Sequence, residues 1–316
     1  MDIALHDTLS LSSNLIIAGK ILKAPKILSR TELDPFTIGL IDGDGSLQVN
    51  HWRKKKLQFR LVVKLADKPL NFEMLSLIAK TYGGYVRAPE GKGYVQWVVN
   101  DRKIFNNNII PLFEEYPPLT SRMKLQYLFF KKFISNSGPL GVEQYFNERN
   151  LKYENREFIT PTPTLPLTLP QKKLGLGLGV GVVSTACLPC HAPVRRQGTA
   201  SPNYFKEWLA GFIESEGSFS ARVKGNYSFS IGQNHDLYLI EAIQNFYEVN
   251  HLKISNKKGK ISNIPFYEIS IGSASGTEKV INHCSKLLQG YKYFQLAAFI
   301  QKSKVFQDKM KEFFEK

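Results

Sequence analysis

The chain has few cysteines, no long apolar run and fewer acidic than basic residues. Only three of its 316 residues are cysteine, which excludes a disulfide framework. No segment reaches the roughly 18 consecutive apolar residues that a membrane-spanning helix requires. Aspartate and glutamate number 27 against 42 lysines and arginines, a formal net charge of +15. Such an excess favours a polyanionic partner, nucleic acid first and an anionic membrane surface second.

The N-terminal segment, residues 1–30, lacks the features of a targeting signal. It is mildly apolar and rich in serine, but Asp2 and Asp7 stand where a secretory signal needs basic residues. The same acids and the lack of early arginine argue against an import peptide. We therefore expect an appendage to the folded part of the chain.

A second segment, residues 151–202, is rich in proline and glycine, has no helical or strand periodicity, and indicates a linker. It contains CLPCH at 187–191, which matches the short C-x-x-C-H haem-attachment pattern. A haem needs an apolar pocket and a zinc site needs a fourth ligand close by, and this tract offers neither. We interpret Cys187, Cys190 and His191 as linker residues.

On either side of this linker the chain repeats itself, at 31–150 and 203–316. Each half opens with an apolar helical motif that ends in acids, followed by two runs of alternating apolar and polar residues. A helical stretch, two more strand-like runs and a final helical stretch complete the unit. The predicted order per half is α-β-β-α-β-β-α, an α+β fold. A duplicated unit predicts a pseudo-twofold molecule that mimics a symmetric dimer in one chain.

The opening motifs, FTIGLIDGDGSL (36–47) and WLAGFIESEGSF (208–219), share a spacing of small residues. Gly39 and Gly43 stand four apart in the first, as do Gly211 and Ser215 in the second. Four-residue spacing places both on one helix face. Small residues there let two helices approach more closely than the usual ~8–10 Å between axes, so we expect the motif helices to pack against each other.

Each motif ends in an acid, Asp44 or Glu216, followed by a glycine that suits a helix end. If the helices pack side by side, these carboxylates meet and repel unless a divalent cation lies between them. Oxygen ligands suit Mg²⁺, and paired metals are a common solution for phosphodiester hydrolysis. The alternative is a pair of amphipathic helices whose acids are exposed caps. Two copies of the motif, each followed by basic strands, argue against it.

TIGLIDGDG (37–45) and LAGFIESEG (209–217) resemble the signature helices of the LAGLIDADG homing endonucleases, in their single-chain, two-motif form. The resemblance implies motif helices at the interface and a saddle-shaped antiparallel sheet in each half. It implies a metal site of Asp44, Glu216 and the backbone carbonyls of Gly43 and Ser215. Asp42 and Glu214 match an earlier acid that is not generally a ligand. Mg²⁺ is the expected metal, with Mn²⁺ as a substitute and Ca²⁺ supporting binding without cleavage.

In that family the sheets lie in the DNA major groove, and the strands after each motif here suit this role. Apolar residues alternate with residues that can read base edges, and the WRKKK hairpin tip suits phosphates. The predicted DNA-contacting residues are Ser46, Gln48, Asn50, Trp52, Arg53, Lys54, Lys55, Lys56, Gln58, Arg60, Lys64, Ser218, Ser220, Arg222, Lys224 and Asn226.

The resemblance also implies residues that assist at the scissile phosphate. FSIGQ (229–233) is similar to a strand ending in an active-site glutamine, Gln233, and Lys292 fits a basic residue at the start of the last helix. The first half departs twice. Its nearest polar substitute for the glutamine is Lys64, and Met123 aligns opposite Lys292 with Arg122 one residue away. The two strands of the target are therefore expected to be cut unevenly.

The resulting hypothesis is a monomeric, Mg²⁺-dependent endonuclease that cuts a long asymmetric site in double-stranded DNA and leaves staggered ends. We also expect the protein to be encoded in an organellar intron and to reside in the mitochondrion or chloroplast. We expect no association with a membrane. Two alternatives stay open: a maturase that binds its own intron RNA, with or without nuclease activity, and a non-catalytic DNA-binding regulator. Both motif-ending acids favour the nuclease, since an RNA chaperone has no chemical need for them.

Overall fold

The computed structural model describes residues 16–17, 20–136, 138–154, 156, 201–221, 227–258 and 264–314. Most of the linker, including CLPCH, lies outside these residues, as do three predicted DNA contacts, Arg222, Lys224 and Asn226. Within the described ranges, no helix combines the length and the apolar character needed to cross a membrane.

A short antiparallel strand pair, β1 (Ile16–Ile17) and β2 (Lys20–Ile21), precedes the first half. The elements of the first half in chain order are α1 (Arg30–Asp44), β3 (Gly45–Trp52), β4 (Lys56–Ala66), α2 (Pro69–Tyr82), β5 (Tyr85–Arg87), β6 (Tyr94–Val99), α3 (Arg102–Ile104), a π-helical turn (Phe105–Ile109), α4 (Ile110–Glu115), α5 (Ser121–Ser135) and α6 (Pro139–Glu148).

The second half repeats this order from its own motif helix onward. Its elements are α7 (Phe205–Glu216), β7 (Ser218–Ala221), β8 (Tyr227–Asn234), α8 (Leu237–Phe246), β9 (Ser255–Lys258), β10 (Pro265–Ile271), α9 (Ala274–Leu287), α10 (Tyr291–Lys302) and a 3₁₀ helix (Lys304–Glu312).

Each half contains a four-stranded antiparallel sheet, in the orders β3-β4-β6-β5 and β7-β8-β10-β9. The registers also agree, because Ser46 pairs with Val62 in one sheet and Ser218 with Ser230 in the other. The α+β prediction with two pseudo-symmetric repeats is confirmed. In β3 and β4 the predicted alternation holds, with Leu47 and Phe59 buried on the helix-covered side.

The structure adds a helical segment to each half between the last strand and the predicted closing helix, at residues 102–115 and 274–287. It also adds α6 after the predicted closing helix of the first half. The first was missed because its sequence, RKIFNNNIIPLFEE, holds three asparagines and a proline, which are poor helix formers. The second, α9, buries Val280, Cys284 and Leu287 at helical spacing, a signal that was present in the sequence.

Part of the N-terminal segment packs against the end of the chain. Leu22 forms an isolated antiparallel bridge with Phe314, and the Lys23 amide donates to the Phe313 carbonyl at 2.8 Å. Leu22 and Leu28 are buried within the hydrophobic core. Residues 20–30 thus bring the start of the first half onto the C-terminal end of the second.

Candidate active site

Helices α1 and α7 pack backbone to backbone at the junction of the two halves. A Cβ atom on Gly39 would lie 1.8 Å from the Trp208 carbonyl oxygen, and one on Gly211 would lie 1.8 Å from the Phe36 carbonyl oxygen. One turn later, a Cβ atom on Gly43 would lie 2.3 Å from the Ser215 Cβ. The spacing of small residues therefore permits the close approach that the sequence predicted.

This packing brings two carboxylates to adjacent helix ends, because Asp44 is the last residue of α1 and Glu216 the last of α7. Solvent reaches Asp44, whereas Glu216 is half-buried. Neighbouring protein atoms nevertheless displace water from both carboxyls and raise the pKa of each, and the negative charge of Asp44 raises the pKa of Glu216 further. Two oxygen-donor groups that repel each other are a suitable pair of ligands for a hard divalent cation.

Two basic side chains oppose this negative charge, one from each half. The Arg122 guanidinium donates hydrogen bonds to the carbonyls that end α1, those of Asp42 at 2.5 Å, Gly43 at 2.9 Å and Gly45 at 2.6 Å. Lys292 lines a cavity together with Asp44. Both positive charges lower the pKa of Asp44 and of Glu216, against the effect of burial.

Arg122 rather than Met123 is the first half's counterpart of Lys292 in charge. Met123 is fully buried in the core, while Arg122, one residue earlier on α5, turns toward the end of α1. The Gly43 carbonyl, predicted as a metal ligand, thus already accepts a hydrogen bond from Arg122, which leaves one lone pair for another partner.

The earlier motif acids, Asp42 and Glu214, are buried and accept hydrogen bonds from backbone amides. Asp42 accepts from the Leu119 amide at 2.7 Å, from the Thr120 amide at 3.2 Å and hydroxyl at 2.6 Å, and from the Trp208 indole at 2.7 Å. Burial raises the pKa of Asp42 to about 6, although these donors and Arg122 lower it.

Glu214 has the equivalent place in the second half. It accepts from the amides of Gln289 at 2.8 Å, Gly290 at 2.7 Å and Lys292 at 3.3 Å. Each earlier acid thus satisfies donors at the N-terminus of a helix of its own half, α5 for Asp42 and α10 for Glu214, where a negative charge is favourable. That helix carries Arg122 or Lys292, so the earlier acids hold the basic groups in place.

The two predicted assisting residues Gln233 and Lys64 lie on opposite faces of their sheets. Gln233 follows Phe229 and Ile231 on the buried side of β8, and its Oε1 atom accepts from the Asn234 amide at 3.1 Å. Lys64 lines the same cavity as Asp44 and Lys292. The strand registers match Lys64 with Gly232, and Leu65 with Gln233. Lys64 therefore lies one residue before the first half's equivalent of Gln233.

The open face of the first sheet carries a ladder of polar side chains beginning beside Asp44. The side-chain amide of Gln48 donates to the Ser46 hydroxyl at 3.0 Å, and the side-chain amide of Asn50 donates to Gln48 Oε1 at 3.4 Å. Gln48 pairs with Arg60 across the strands, and Asn50 with Gln58. The predicted reading face is therefore contiguous in this half.

The hairpin tip at residues 53–55 has an unusual backbone for its sequence. Arg53 and Lys54 have φ angles of 49° and 57°, a left-handed conformation that hairpin turns usually assign to Asn-Gly. The Trp52 ring is 54% exposed, and the Arg53 guanidinium lies 5.1 Å from its centroid. Basic residues in a conformation that disfavours them indicate a role other than folding.

Sequence reasoning missed the residues that β5 and β6 contribute to this face. Arg87 on β5 and Tyr94 and Gln96 on β6 line a concave surface together with Asp44 and Arg60. The side-chain amide of Gln96 is oriented so that its oxygen accepts a hydrogen bond from Arg87 Nη2 at 2.7 Å. The signal in YVQWVV is the polar Gln96 between the apolar Val95 and Trp97, although all residues from Val95 to Val99 are buried.

The open face of the second sheet has shorter side chains. Ser218 and Ser220 are exposed and pair with Ser230 and Ser228, so this part of the face is lined by hydroxyls. The positive charge of Lys257 at its edge is paired with Glu268. The described residues thus give the two sheets different polar faces.

The sequence of this chain is similar to those of known proteins. The sequence model of the LAGLIDADG endonuclease family matches residues 37–134 and 209–303. A protein of Debaryomyces hansenii named probable intron-encoded endonuclease aI3 is 37% identical over 84% of this chain, which spans 37% of that protein's length. A protein of the same name from Dictyostelium citrinum is 32% identical over 78% of this chain and 85% of its own length.

Solved structures share the fold. The meganuclease I-SmaMI, in a crystal structure with uncleaveable DNA, superposes with a TM-score of 0.54 at 19% identity, over 89% of this chain and 97% of its own. The LAGLIDADG meganuclease I-CpaMI, bound to uncleaved DNA, superposes with a TM-score of 0.56 at 17% identity, over 88% of this chain and 93% of its own.

Proposed function

This chain belongs to the LAGLIDADG endonuclease family, and we propose that it is a homing endonuclease that cuts one specific, long and asymmetric site in double-stranded DNA. The observation that carries the proposal is the meeting of Asp44 and Glu216 at adjacent helix ends. These acids lie beside two basic side chains and at the edge of a polar sheet face.

The donor set at the helix ends fits a divalent metal. Asp44 and Glu216 would hold it, with the carbonyls of Gly43 and Ser215 as further oxygen ligands, and no third acid is needed at the centre of this arrangement. When bound, Mg²⁺ supplies a water of lowered pKa and neutralises charge on the phosphodiester. Mn²⁺ should substitute, and Ca²⁺ should support binding without cleavage.

The protein's own groups would then position the DNA and neutralise developing charge. Arg122 and Lys292 lie beside the acids and can stabilise negative charge on a reacting phosphate. Lys64, in the same cavity as Lys292, is a further candidate for this contact. Gln233 keeps its predicted assisting role as a proposal that requires its side chain to turn from the Asn234 amide.

The sheets would read the target unequally. The first presents Gln48, Asn50 and Arg60, which can form paired hydrogen bonds to base edges, and its hairpin tip suits phosphates. Among its described residues, the second presents serine hydroxyls at Ser218 and Ser220. We therefore propose that the described parts of the two sheets contact the two half-sites through different side chains.

The names of its relatives support a proposal for where the protein is encoded and where it resides. Because these are called intron-encoded endonucleases, we propose that this chain is encoded in an organellar intron and resides in the mitochondrion or chloroplast. The duplicated motif makes a monomer sufficient, with 1–30 as an N-terminal segment and 151–202 as the linker between repeats. Binding to its own intron RNA is an outcome of the test below.

The test is incubation of the purified protein and Mg²⁺ with DNA that spans the intron-free junction of its host gene, followed by sequencing of all new ends. We expect one pair of staggered ends. Binding without cleavage at any divalent metal would support the DNA-binding regulator. Absence of DNA binding, with tight binding to the intron RNA, would contradict the nuclease proposal and support the maturase.

A further inference from the structure

The helices that carry Arg122 and Lys292 each receive a side chain from the opposite half at their N-termini. Asp236, which precedes α8 in the second half, accepts from the Ser121 amide of α5 at 2.9 Å. Asn71, on α2 of the first half, accepts from the Tyr291 amide of α10 at 2.8 Å. The same type of contact therefore crosses the junction in both directions.

Both bracing side chains are buried and oriented. Asp236 is 2% exposed and Asn71 is 6% exposed. The Asn71 Nδ2 atom donates to the Ala66 carbonyl at 2.9 Å, which directs its oxygen toward α10. Beside Asp236, the Tyr238 hydroxyl donates to the Leu119 carbonyl at 2.6 Å, a second contact from the second half to the start of α5.

Glycine at position 290 makes room for this arrangement. A Cβ atom there would lie 2.8 Å from Asn71 Oδ1 and 2.8 Å from Glu214 Oε2. Gly290 is the N-cap of α10 and has no side chain to satisfy the free amides, so Glu214 and Asn71 take that place together. Both carboxylate oxygens of Glu214 come from the second half, and Asn71 Oδ1 comes from the first.

The own-half acid and the opposite-half side chain thus act on successive amides of one helix. On α5, Asp42 binds the Leu119 and Thr120 amides, and Asp236 binds the next one, that of Ser121. The basic residue follows immediately in both helices, Arg122 after Ser121 and Lys292 after Tyr291. A shift of this first turn would move the basic group directly.

We propose that Asn71 and Asp236 are positioning residues: Asn71 of the first half fixes Lys292, and Asp236 of the second half fixes Arg122. Neither half then places its basic group beside the acids unless the other half is docked against it. The consequence for catalysis rests on the proposed nuclease function. Loss of one brace should slow one strand's cleavage more than the other's, and loss of the other brace should do the reverse.

The first experiment is hydrogen–deuterium exchange on the full chain, which does not depend on cleavage. Asp236→Ala should speed exchange in the segment 117–125 by about fivefold, the effect of losing one net hydrogen bond, and leave 287–295 unchanged. Asn71→Ala should speed exchange in the segment 287–295 by a similar factor and leave 117–125 unchanged. The conservative variant Asp236→Asn, which keeps an acceptor oxygen for the Ser121 amide, should restore protection. Unchanged exchange in both alanine variants would overturn the brace.

The second experiment measures the nicking rate of each strand separately on the junction DNA that the wild type cuts. The ratio of the two rates should change about fivefold in opposite directions for Asn71→Ala and Asp236→Ala. Ser273→Ala is the matched control, because it removes a helix N-cap from α9, which carries no site residue. It should lower stability and leave the ratio at the wild-type value.

Equal slowing of both strands by both alanine variants, or the same ratio change in the Ser273→Ala control, would overturn the positioning role. If the wild type cuts no DNA, the nuclease proposal fails on its own, while the exchange measurement still decides whether the opposite-half braces exist.

Discussion

Substitution of Gly39 by alanine should separate the two motif helices. The new Cβ atom would lie 1.8 Å from the Trp208 carbonyl oxygen, and ordinary contact begins at 3.4 Å, so one helix backbone has to move. In an exposed helix the same change stabilises by ~1 kcal/mol. Here, overpacking against a backbone atom should outweigh that gain and lower the free energy of unfolding by about 3 kcal/mol.

The pseudo-twofold axis makes a sharper prediction for the pair. Gly211→Ala forces the same displacement from the other side, because its Cβ atom would lie 1.8 Å from the Phe36 carbonyl oxygen. One movement relieves both contacts, so the double variant should cost at least ~1 kcal/mol less than the two single costs together. Displaced helices also separate Asp44 from Glu216, so cleavage should be lost with stability.

Chemical denaturation of the two single variants and the double variant measures these energies. Gly138→Ala is the control, since a Cβ atom there meets nothing within 4 Å and its φ of −72° suits alanine. It should change stability by no more than ~0.5 kcal/mol. A Gly39→Ala variant as stable as the wild type would refute the close packing, and fully additive costs would refute the shared displacement.

Two further predictions concern pH and DNA. His283 is buried and neutral, with its Nε2–H donating to the Lys206 carbonyl and its Nδ1 accepting from the Tyr247 hydroxyl, and burial lowers its pKa to about 4. As pH falls from about 6.5 toward 4, the unfolded state alone binds this proton, so the wild type should lose about 3 kcal/mol of stability relative to His283→Gln. Arg60→Ala should weaken DNA binding by ~1–3 kcal/mol and relax base preference at one position, whereas Lys80→Ala, an exposed lysine on α2, should do neither.

Denaturation at several pH values tests the first of these, and parallel stability curves for wild type and His283→Gln would contradict it. Binding to singly substituted target sites tests the second. An Arg60→Ala variant that weakens all sites equally, with a smaller salt dependence, would assign Arg60 to the phosphate backbone instead of a base.

Much of this architecture was readable from sequence because local patterns determine it. The four-residue spacing of Gly39 and Gly43 predicted the helix junction, and the alternation from Leu47 to Val63 predicted the two strands and the polar face of the first sheet. Both signals are properties of one helix or one strand, and each was repeated in the second half. The same patterns did not predict the hydrogen bond from Arg122 to the Gly43 carbonyl, because it joins residues 79 apart in the chain.

What the sequence could not supply were contacts between distant segments. The caps that Asp42 and Asp236 form on α5 join residues separated by 78 and 115 positions. Arg122 took the basic role one residue away from the position that alignment suggested, because α5 buries Met123 in the core. Such choices depend on how helices pack, which neither periodicity nor motif spacing specifies.

The nuclease proposal is tested most directly by single-turnover cleavage by Glu216→Gln on the wild-type target in Mg²⁺, with DNA affinity measured alongside. Glu207→Gln, the same change in the first turn of α7, is the control. We expect a loss of at least about a hundredfold in rate for Glu216→Gln at unchanged affinity, and no loss for Glu207→Gln. Cleavage by Glu216→Gln at the wild-type rate would contradict the assignment of the helix-end acids as the catalytic centre.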